Sequence, residues 1–261
     1  MKKIGLFVRD DEKSKIIAEK IKNDISKIGF INDDTNPDIV IFVGGDGTLL
    51  RAVHHYLEKI DDLTFVGVRT GALGFFCDYN EDELNNLYTR IKDNKEPKEY
   101  PLIEAEIVGS NKINLVFAVN EIRIENPFHT LSTGIYIDNR LMYMFNGNGL
   151  NVSSQLGSSA YNRSIGGALI ERGLRVFQIQ EIAPLSNINY RPMASPLVLD
   201  SKHKITFKPV DSKSLIGYDH LVLTLDHDYE ITIFESEKVL KLIHNENKDY
   251  FEVLNSTFVK K

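Results

Sequence analysis

An aspartate surrounded by glycines is the part of the sequence best suited to chemistry. Residues 44–50 read GGDGTLL and follow the apolar run 39–43. Glycines let backbone N–H groups close around a phosphate, and the helical segment that follows would place the phosphate at a helix N-terminus. Asp46 would repel phosphates, so we expect it to bind a metal, take a proton or orient a hydroxyl. The phosphate-binding candidates are Gly44, Gly45, Gly47 and Thr48.

The turn does not match the two commonest phosphate motifs. No Gly-Lys-Ser/Thr follows it, so it is not a Walker loop, and its spacing is not G-x-G-x-x-G. A tight strand-to-helix turn with Asp46 or Thr48 as a helix cap is the structural alternative. A second glycine turn, RTGALGF, occupies residues 69–75.

Two consecutive polar residues, Asn120 and Glu121, interrupt the apolar run 115–124. Burying such groups without partners costs roughly 1–3 kcal/mol each. An amide beside a carboxylate is suited to a base edge and to ribose hydroxyls. The alternative is a solvent-facing sheet edge.

Residues 147–167 are rich in glycine, serine and asparagine. Small residues let backbone donors approach a ligand, and Tyr161 offers a flat face for stacking on a purine. We expect a short helix over 160–170, capped by Ser158 and Ser159; the alternative is a flexible hairpin loop before that helix. Asp219-His220 is either an acid–base pair or a surface turn.

The elements that must position these groups change character along the chain. The first hundred residues alternate strands (2–8, 38–43, 64–68) with helices (11–28, 48–58, 80–94), which predicts a parallel sheet with helices on both faces. After Pro97 the pattern predicts strands, with hairpin turns at 138–139 and 227–228. The predicted strands there are 104–108, 113–124, 134–138, 141–145, 205–209, 221–226 and 230–235.

The predicted fold class is therefore α/β plus all-β, in two domains. A doubly wound α/β domain that carries the GGDGT turn spans 1–98, and a β-rich nucleotide-binding domain spans 99–243. We expect the last segment, 244–261, to pack back on the first domain.

Composition limits the function classes. The net charge of −6 argues against general nucleic-acid binding, and no apolar segment is long enough to cross a membrane. A single cysteine, Cys77, excludes an internal disulfide and a cysteine-rich zinc site. The first residues run directly into a predicted strand, so no signal peptide is predicted. We expect a cytoplasmic protein.

Taken together, these motifs resemble those of bacterial NAD kinases, which use ATP or polyphosphate. The matching pieces are GGDGTLL at 44–50, RTGALGF at 69–75, NE at 120–121 and GSSAYNRSIGGAL at 157–169. They occur in the order and spacing of that family, and the likeness covers most of the chain. The resemblance implies an N-terminal α/β domain, a C-terminal β-sandwich domain, and transfer of a phosphoryl group to the 2′-hydroxyl of the adenosine ribose of NAD, which gives NADP.

The resemblance also implies a role for individual residues. Asp46 matches the catalytic aspartate, and Gly47 lies beside it at the dinucleotide. Asn148 stands where the family usually has aspartate, and residues 154–157 read Ser-Gln-Leu-Gly where the family has Thr-Pro-x-Gly. The further NAD-binding residues implied are Asn120, Glu121, Ser159, Ala160, Tyr161, Asn162, Arg163, Ser164 and Ala183.

The resemblance implies NAD and ATP or polyphosphate as substrates, Mg²⁺ on the donor phosphates, and a homodimer or homotetramer. Asp46 is either the group that receives the hydroxyl proton or the Mg²⁺ anchor, and sequence does not separate these roles. Three alternatives remain. Lipid kinases of the diacylglycerol type share the GGDGT turn, phosphofructokinases have a similar turn but lack a β-rich second half, and a degenerate relative could bind NAD or NADP without catalysis.

Overall fold

A computed structural model describes residues 1–71, 74–109, 113–210, 213–225 and 229–259. The chain forms two compact units, one made of Met1–Tyr100 with the chain from Lys238 onward, the other of Pro101–Glu237. The second boundary lies six residues before the expected one, because the end of the last strand pairs with the first unit. The predicted turn at 227–228 and Ala72-Leu73 of the second glycine turn lie outside the described residues.

The first unit alternates strands and helices before the chain leaves it. Helix α1 begins after Asp11, whose carboxylate accepts the N–H of Ser14, and ends before Gly29, which has a positive φ of 88°. The elements are β1 (Lys3–Val8), α1 (Glu12–Lys27), β2 (Ile31–Asn32), β3 (Ile39–Gly44), α2 (Asp46–His55), β4 (Thr64–Arg69) and α3 (Leu84–Lys92).

The strands of the first unit form a parallel sheet in the order β2-β1-β3-β4. Ile39, Ile41 and Val43 of β3 share one apolar cluster with residues of α1 and α3. Val40 and Phe42 alternate with them and therefore face the opposite side, and α2 also packs on β3. Because both faces of β3 are buried, its sequence is a continuous apolar run.

The second unit is almost entirely strand. Its elements are β5 (Lys98–Gly109), β6 (Ile113–Ala118), β7 (Glu121–Glu125), β8 (Leu131–Ile137), β9 (Arg140–Gly147), β10 (Gly149–Ser154), α4 (Tyr161–Ser164), β11 (Val176–Ile182), β12 (Leu197–Asp200), β13 (Ile205–Val210), β14 (Ser214–Tyr218) and β15 (Leu221–Leu225). Strand β16 (Tyr229–Leu242) then leads back to the first unit, where helix α5 (Tyr250–Phe258) follows.

Two sheets enclose the apolar core of this unit. One has the order β12-β11-β10-β7-β14-β15, and the other contains β16-β13-β8-β9 with β5 and β6. A single cluster of buried residues draws on both sheets, including Phe145, Phe177 and Phe207. This arrangement is the β-sandwich that the resemblance implies. The predicted hairpin at Asp138-Asn139 is confirmed, with φ values of 47° and 65°.

Several predicted elements of this unit are wrong. The strand expected over 113–124 is two strands, β6 and β7, which belong to different sheets and separate at Val119-Asn120. The helix expected over 160–170 is only α4, because the backbone beyond it bonds to side chains of β11 instead of continuing the helix. The sequence prediction also missed β10, β11, β12 and β14.

The C-terminal end of β16, from Lys238 to Leu242, belongs to the first unit. Up to Glu237 the strand belongs to the second unit, and beyond it Lys241 and Leu242 pair in parallel with Thr64 and Phe65 of β4. Helix α5 follows, capped by Asp249. Across the described part of the chain, no helix combines the length and apolar character needed to cross a membrane.

Candidate functional site

The glycine turn places Asp46 at the first residue of α2. Gly45 is the N-cap, and the N–H of Gly45 donates to the Thr48 hydroxyl at 3.3 Å. A side chain at position 44 would lie 2.2 Å from that hydroxyl, whereas a Cβ at Gly45 or Gly47 would meet no atom within 4 Å. Packing therefore explains why position 44 requires glycine, but it does not explain the glycines at 45 and 47. The open space at Gly45 and Gly47, beside a helix N-terminus, suits an anionic ligand.

The Asp46 carboxylate is held by the second glycine turn. Its Oδ2 accepts the backbone N–H of Phe75 and its Oδ1 accepts that of Phe76, both at 2.9 Å. The two turns are also joined by the Thr70 N–H, which donates to the Gly44 carbonyl at 3.1 Å. These two hydrogen bonds from backbone N–H groups fix the plane of the carboxylate.

In the second unit, Asn120 and Glu121 are buried at the point where β6 ends and β7 begins. They are 6% and 4% exposed, and Asn120 Oδ1 and Glu121 Oε2 have no hydrogen-bond partner among the described residues. A buried polar atom without a partner is costly, so this pair is prepared for a ligand that supplies the missing partners. The alternative of a solvent-facing sheet edge is wrong.

Burial raises the pKa of Glu121 to about 8. The negative charges of Asp219 and Glu125 act in the same direction, while the Arg123 guanidinium, whose Nη1 lies 3.7 Å from Glu121 Oε1, opposes them. Glu121 is therefore largely protonated at neutral pH and can donate as well as accept a hydrogen bond.

Glu121, Arg123 and Glu125 share one face of β7, since they are two residues apart. Arg123 Nε donates to Glu125 Oε2 at 2.7 Å, and its guanidinium carbon lies 4.7 Å from the ring centre of Tyr161. The Tyr161 hydroxyl donates to Glu125 Oε1 at 3.3 Å. One face of the Tyr161 ring is thus covered by Arg123, so stacking on a purine must use the other face.

The loop after Tyr161 is anchored by amide side chains. Gln178 accepts the Ala168 N–H at 2.7 Å and donates to the Ala168 carbonyl at 3.2 Å, and Gln180 donates to the Ile165 carbonyl at 3.0 Å. Asn162 is fully buried and accepts from Asn151 Nδ2 at 3.4 Å. The Asn162 side chain therefore shapes the loop from inside.

Hydrogen bonds also hold the segment before Tyr161, so the alternative of a flexible hairpin loop is wrong. Ser154 Oγ accepts the N–H groups of Leu156 and Gly157, both at 3.1 Å, in place of the constraint that a proline would give. Ser158 does not cap α4; its hydroxyl donates to the Gln155 carbonyl at 2.8 Å.

The other predicted residues of this unit lie at strand ends. Asn148 joins β9 to β10, donates its Nδ2 to the Asn126 carbonyl at 3.1 Å and its N–H to the Ile182 carbonyl at 3.1 Å. Ala183 follows β11 directly and has a φ of 43°. The remaining members of the predicted segment are near α4, where Ser159 and Ala160 are partly exposed and Arg163 and Ser164 are exposed.

Sequence reasoning missed three residues that build this site. Arg123 and Glu125 escaped notice although they repeat the polar spacing of Glu121 between the apolar residues of β7. Asp219 was read as part of an acid–base pair or a surface turn, but it is buried at 7% exposure. Its carboxylate accepts the N–H groups of Val119 and Asn120 at 2.9 and 2.8 Å.

Asp46 is the candidate metal contact. Within the described ranges of the chain, no group of three or more His, Cys, Asp or Glu residues is arranged to hold a metal ion. Proteins commonly bind Mg²⁺ through one or two carboxylates together with substrate phosphates and water. A single carboxylate in a turn that suits an anionic ligand fits a metal that is shared with phosphates.

Comparison with known proteins matches both units of the chain to domains of one enzyme family. Residues 4–96 match the model of the ATP-NAD kinase N-terminal domain, and residues 119–245 match that of the ATP-NAD kinase C-terminal domain. The NAD kinase of Leuconostoc citreum is 35% identical over 98% of each chain. NAD kinase 1 of Bacillus cereus is 39% identical over 85% of each chain.

Solved structures share the fold. Yeast NADH kinase, complexed with NADH, superposes with a TM-score of 0.83 at 17% identity and covers 100% of this chain and 89% of its own. An NAD kinase from Archaeoglobus fulgidus in complex with ATP superposes with a TM-score of 0.78 at 22% identity and covers 97% and 99%.

Proposed function

The chain belongs to the ATP-NAD kinase family, and we propose that Asp46 is the residue on which its catalysis depends. The protein is a kinase that phosphorylates NAD to NADP. The observation that supports the role of Asp46 is its position: a carboxylate fixed by two backbone amides, at the N-terminus of a helix, beside two glycines with open space. That place suits a group that meets a ribose hydroxyl and phosphates at once.

Most of the proposed NAD contacts lie in the second unit, and Gly47 belongs to the first. Asn120 Oδ1 and Glu121 Oε2, both buried without partners among the described residues, accept or share hydrogen bonds with the adenosine part of NAD. Tyr161 stacks on the purine with the face that Arg123 leaves uncovered. The further contacts proposed are Gly47, Asn148, Ser159, Ala160, Arg163, Ser164 and Ala183, with Asn162 holding the loop in shape.

Phosphoryl transfer passes through a loose transition state, so positioning and charge stabilisation matter more than full deprotonation of the nucleophile. Asp46 orients the 2′-hydroxyl of the adenosine ribose by accepting its hydrogen bond. It receives the hydroxyl proton as the new O–P bond forms and the bond from that phosphorus to the bridging oxygen of the donor breaks, so that ADP or the shortened polyphosphate leaves. The phosphates bind at the N-terminus of α2, in the open space beside Gly45 and Gly47. As a carboxylate at the N-terminus of α2, Asp46 also suits the role of metal contact, and both roles stay open.

We propose ATP as donor, with polyphosphate as a second donor, and Mg²⁺ as the metal. Asp46 would be the protein's contact with Mg²⁺, which neutralises phosphate charge when bound. Purified protein is incubated with NAD, Mg²⁺ and either ATP or polyphosphate, and NADP is measured by a coupled dehydrogenase assay. NADP formed with neither donor at any Mg²⁺ concentration contradicts the proposal.

Two alternatives remain testable in the same assay. The lipid-kinase alternative predicts phosphorylation of diacylglycerol and not of NAD, and the NAD kinase matches over both units weigh against it. A non-catalytic sensor predicts calorimetric NAD binding without NADP. Asn148 is the residue that favours a sensor, since it lacks the charge that the family usually has, whereas the ordered Asp46 weighs against one.

A homodimer or homotetramer and a cytoplasmic location complete the proposal. Strand β9 ends its sheet and exposes Leu141, Met142 and Met144, each between 45% and 53% exposed, which supports self-association. A single buried thiol, Cys77, is compatible with a reducing compartment. Sedimentation velocity tests the assembly, and fractionation of cells tests the location.

A further inference from the structure

Asp219, in the turn between β14 and β15, forms hydrogen bonds with the backbone between β6 and β7; we call this set of hydrogen bonds the Asp219 bracket. Asp219 Oδ2 accepts the Val119 N–H at 2.9 Å, and Oδ1 accepts the Asn120 N–H at 2.8 Å. In return, the Asp219 N–H donates to the Glu121 carbonyl at 3.2 Å. Asp219 is buried and has a φ of 50°, a conformation that aspartate and asparagine tolerate better than most residues.

The opposite side of the same peptides is fixed by other groups. Ser154 Oγ donates to the Val119 carbonyl at 2.7 Å, and the Ser154 N–H donates to the Asn120 carbonyl at 2.9 Å. Gly157 lies so close that a Cβ there would be 2.1 Å from the Asn120 oxygen. Both the carbonyl and the N–H groups of Val119 and Asn120 are therefore hydrogen-bonded. Ser154 binds the carbonyl groups, and the carboxylate of Asp219 binds the N–H groups.

We propose that Asp219 is a positioning residue for NAD: its carboxylate holds the Val119-Asn120 peptides so that Asn120 and Glu121 face the dinucleotide. The inference rests on the proposed NAD contacts of that pair. Since neither β6 nor β7 includes Asn120, no strand ladder orients its side chain, and the bracket supplies that orientation. The Val119 and Asn120 N–H groups bind different oxygens of Asp219, so an asparagine at this position would turn its NH₂ group toward one of them.

The charge of Asp219 gives the proposal a distinctive readout. The groups acting on Glu121 are Asp219 and Glu125, which raise its pKa, and Arg123, which lowers it; the Tyr161 hydroxyl also lies near this cluster. Removing the Asp219 charge therefore lowers the pKa of Glu121 from about 8. If protonated Glu121 donates to NAD, affinity falls as pH rises through that pKa, and the fall begins at lower pH without Asp219.

The test compares Asp219→Asn with Asp138→Asn. Both aspartates lie in turns of the second unit with positive φ and accept a backbone N–H through a carboxylate oxygen, at 3.0 Å from Lys204 for Asp138. Asparagine tolerates the same φ, so the substitution changes chiefly the acceptor and the charge. KM for NAD and for ATP, kcat, and the pH dependence of NAD binding by calorimetry are measured for each.

Asp219→Asn is expected to raise the KM for NAD roughly ten- to a hundredfold, the range for a buried N–H that loses its acceptor, with kcat and the KM for ATP within about threefold of wild type. Its NAD affinity is expected to decline at lower pH than that of wild type. Asp138→Asn is expected to change neither quantity. An unchanged KM for NAD, or equal losses for NAD, ATP and kcat, overturns the proposal.

A second test uses wild-type protein, so its result does not depend on whether a substituted protein folds. Hydrogen exchange at the Val119 and Asn120 amides is expected to be slow, as in strands, although Asn120 belongs to neither β6 nor β7. Exchange at these two amides that is as fast as in exposed turns would contradict their hydrogen bonds to Asp219. Absence of NADP formation by wild type refutes the proposed function instead, so the two failures are distinguishable.

Discussion

Replacing Asp46 by asparagine tests the catalytic proposal and separates it from a structural role of the same carboxylate. In the native turn, each oxygen of Asp46 accepts one backbone N–H, from Phe75 and from Phe76. Asparagine keeps one acceptor and turns an NH₂ group toward the other N–H. One backbone donor then loses its partner, which is expected to cost about 1–3 kcal/mol in the free energy of unfolding.

Turnover is expected to fall much further than stability alone explains. Loss of a positioned group that receives a proton typically reduces kcat by on the order of a hundredfold or more, equivalent to about 2.7 kcal/mol in the activation barrier. NAD binding is expected to stay within a few-fold of wild type, because most of the proposed NAD contacts lie in the second unit. The assays are steady-state NADP formation at saturating NAD, ATP and Mg²⁺, and urea unfolding.

A matched control is Asp33→Ala. Asp33 Oδ1 accepts the N–H groups of Thr35 and Asn36 at 3.2 and 2.9 Å in a loop of the same unit, and it pairs with Lys3. This variant is expected to lose stability while keeping kcat. Near-normal turnover of folded Asp46→Asn at saturating substrates would refute both the proton role and the metal role of Asp46.

Three further predictions concern stability and binding. Gly157→Ala forces a Cβ to 2.1 Å from the Asn120 carbonyl oxygen, so we expect a lower Tm and a higher KM for NAD. The carboxyl of Glu121 has a raised pKa in the folded state, so wild type loses stability as the pH rises from about 4.5 to about 8. Glu121→Gln has no such carboxyl and avoids this loss. Thermal unfolding should therefore show a gain in the stability of the variant relative to wild type at pH 9. His244→Ala removes the hydrogen bonds to Asp78 at 2.7 Å and Tyr100 at 3.0 Å, and urea unfolding should show a loss of roughly 1–3 kcal/mol.

The first unit was predictable because local signals agree with tertiary structure there. Asp11 and Gly29 mark the ends of α1, and the capping box of Asn80 and Glu83 is present. The run 39–43 is apolar because β3 is covered on both faces. The GGDGT turn could be located from these neighbours, but its contact with Phe75 and Phe76 could not, since 29 and 30 residues separate the donors from Asp46.

Strands of the second unit were missed where the sequence is polar. Every residue of β10 is buried, yet the strand reads GLNVSS, because Asn151, Ser153 and Ser154 find partners or close packing inside the sandwich. Propensity treats such residues as loop formers. The same limitation hid the position of Asn120-Glu121, since an apolar run does not reveal where a chain passes from one sheet to another.

The path of β16 imposes an order on folding during synthesis. Ribosomes deliver residues 101–237, which form the whole second unit, before Lys241 and Leu242 exist to pair with β4. The edge of β4 therefore stays unpaired until the last tenth of the chain is made, whereas the β-sandwich already has all its strands. The domain whose coding begins first is thus completed last, and a chain that ended at residue 237 would contain every strand of the second unit while β4 lacked its β16 partner.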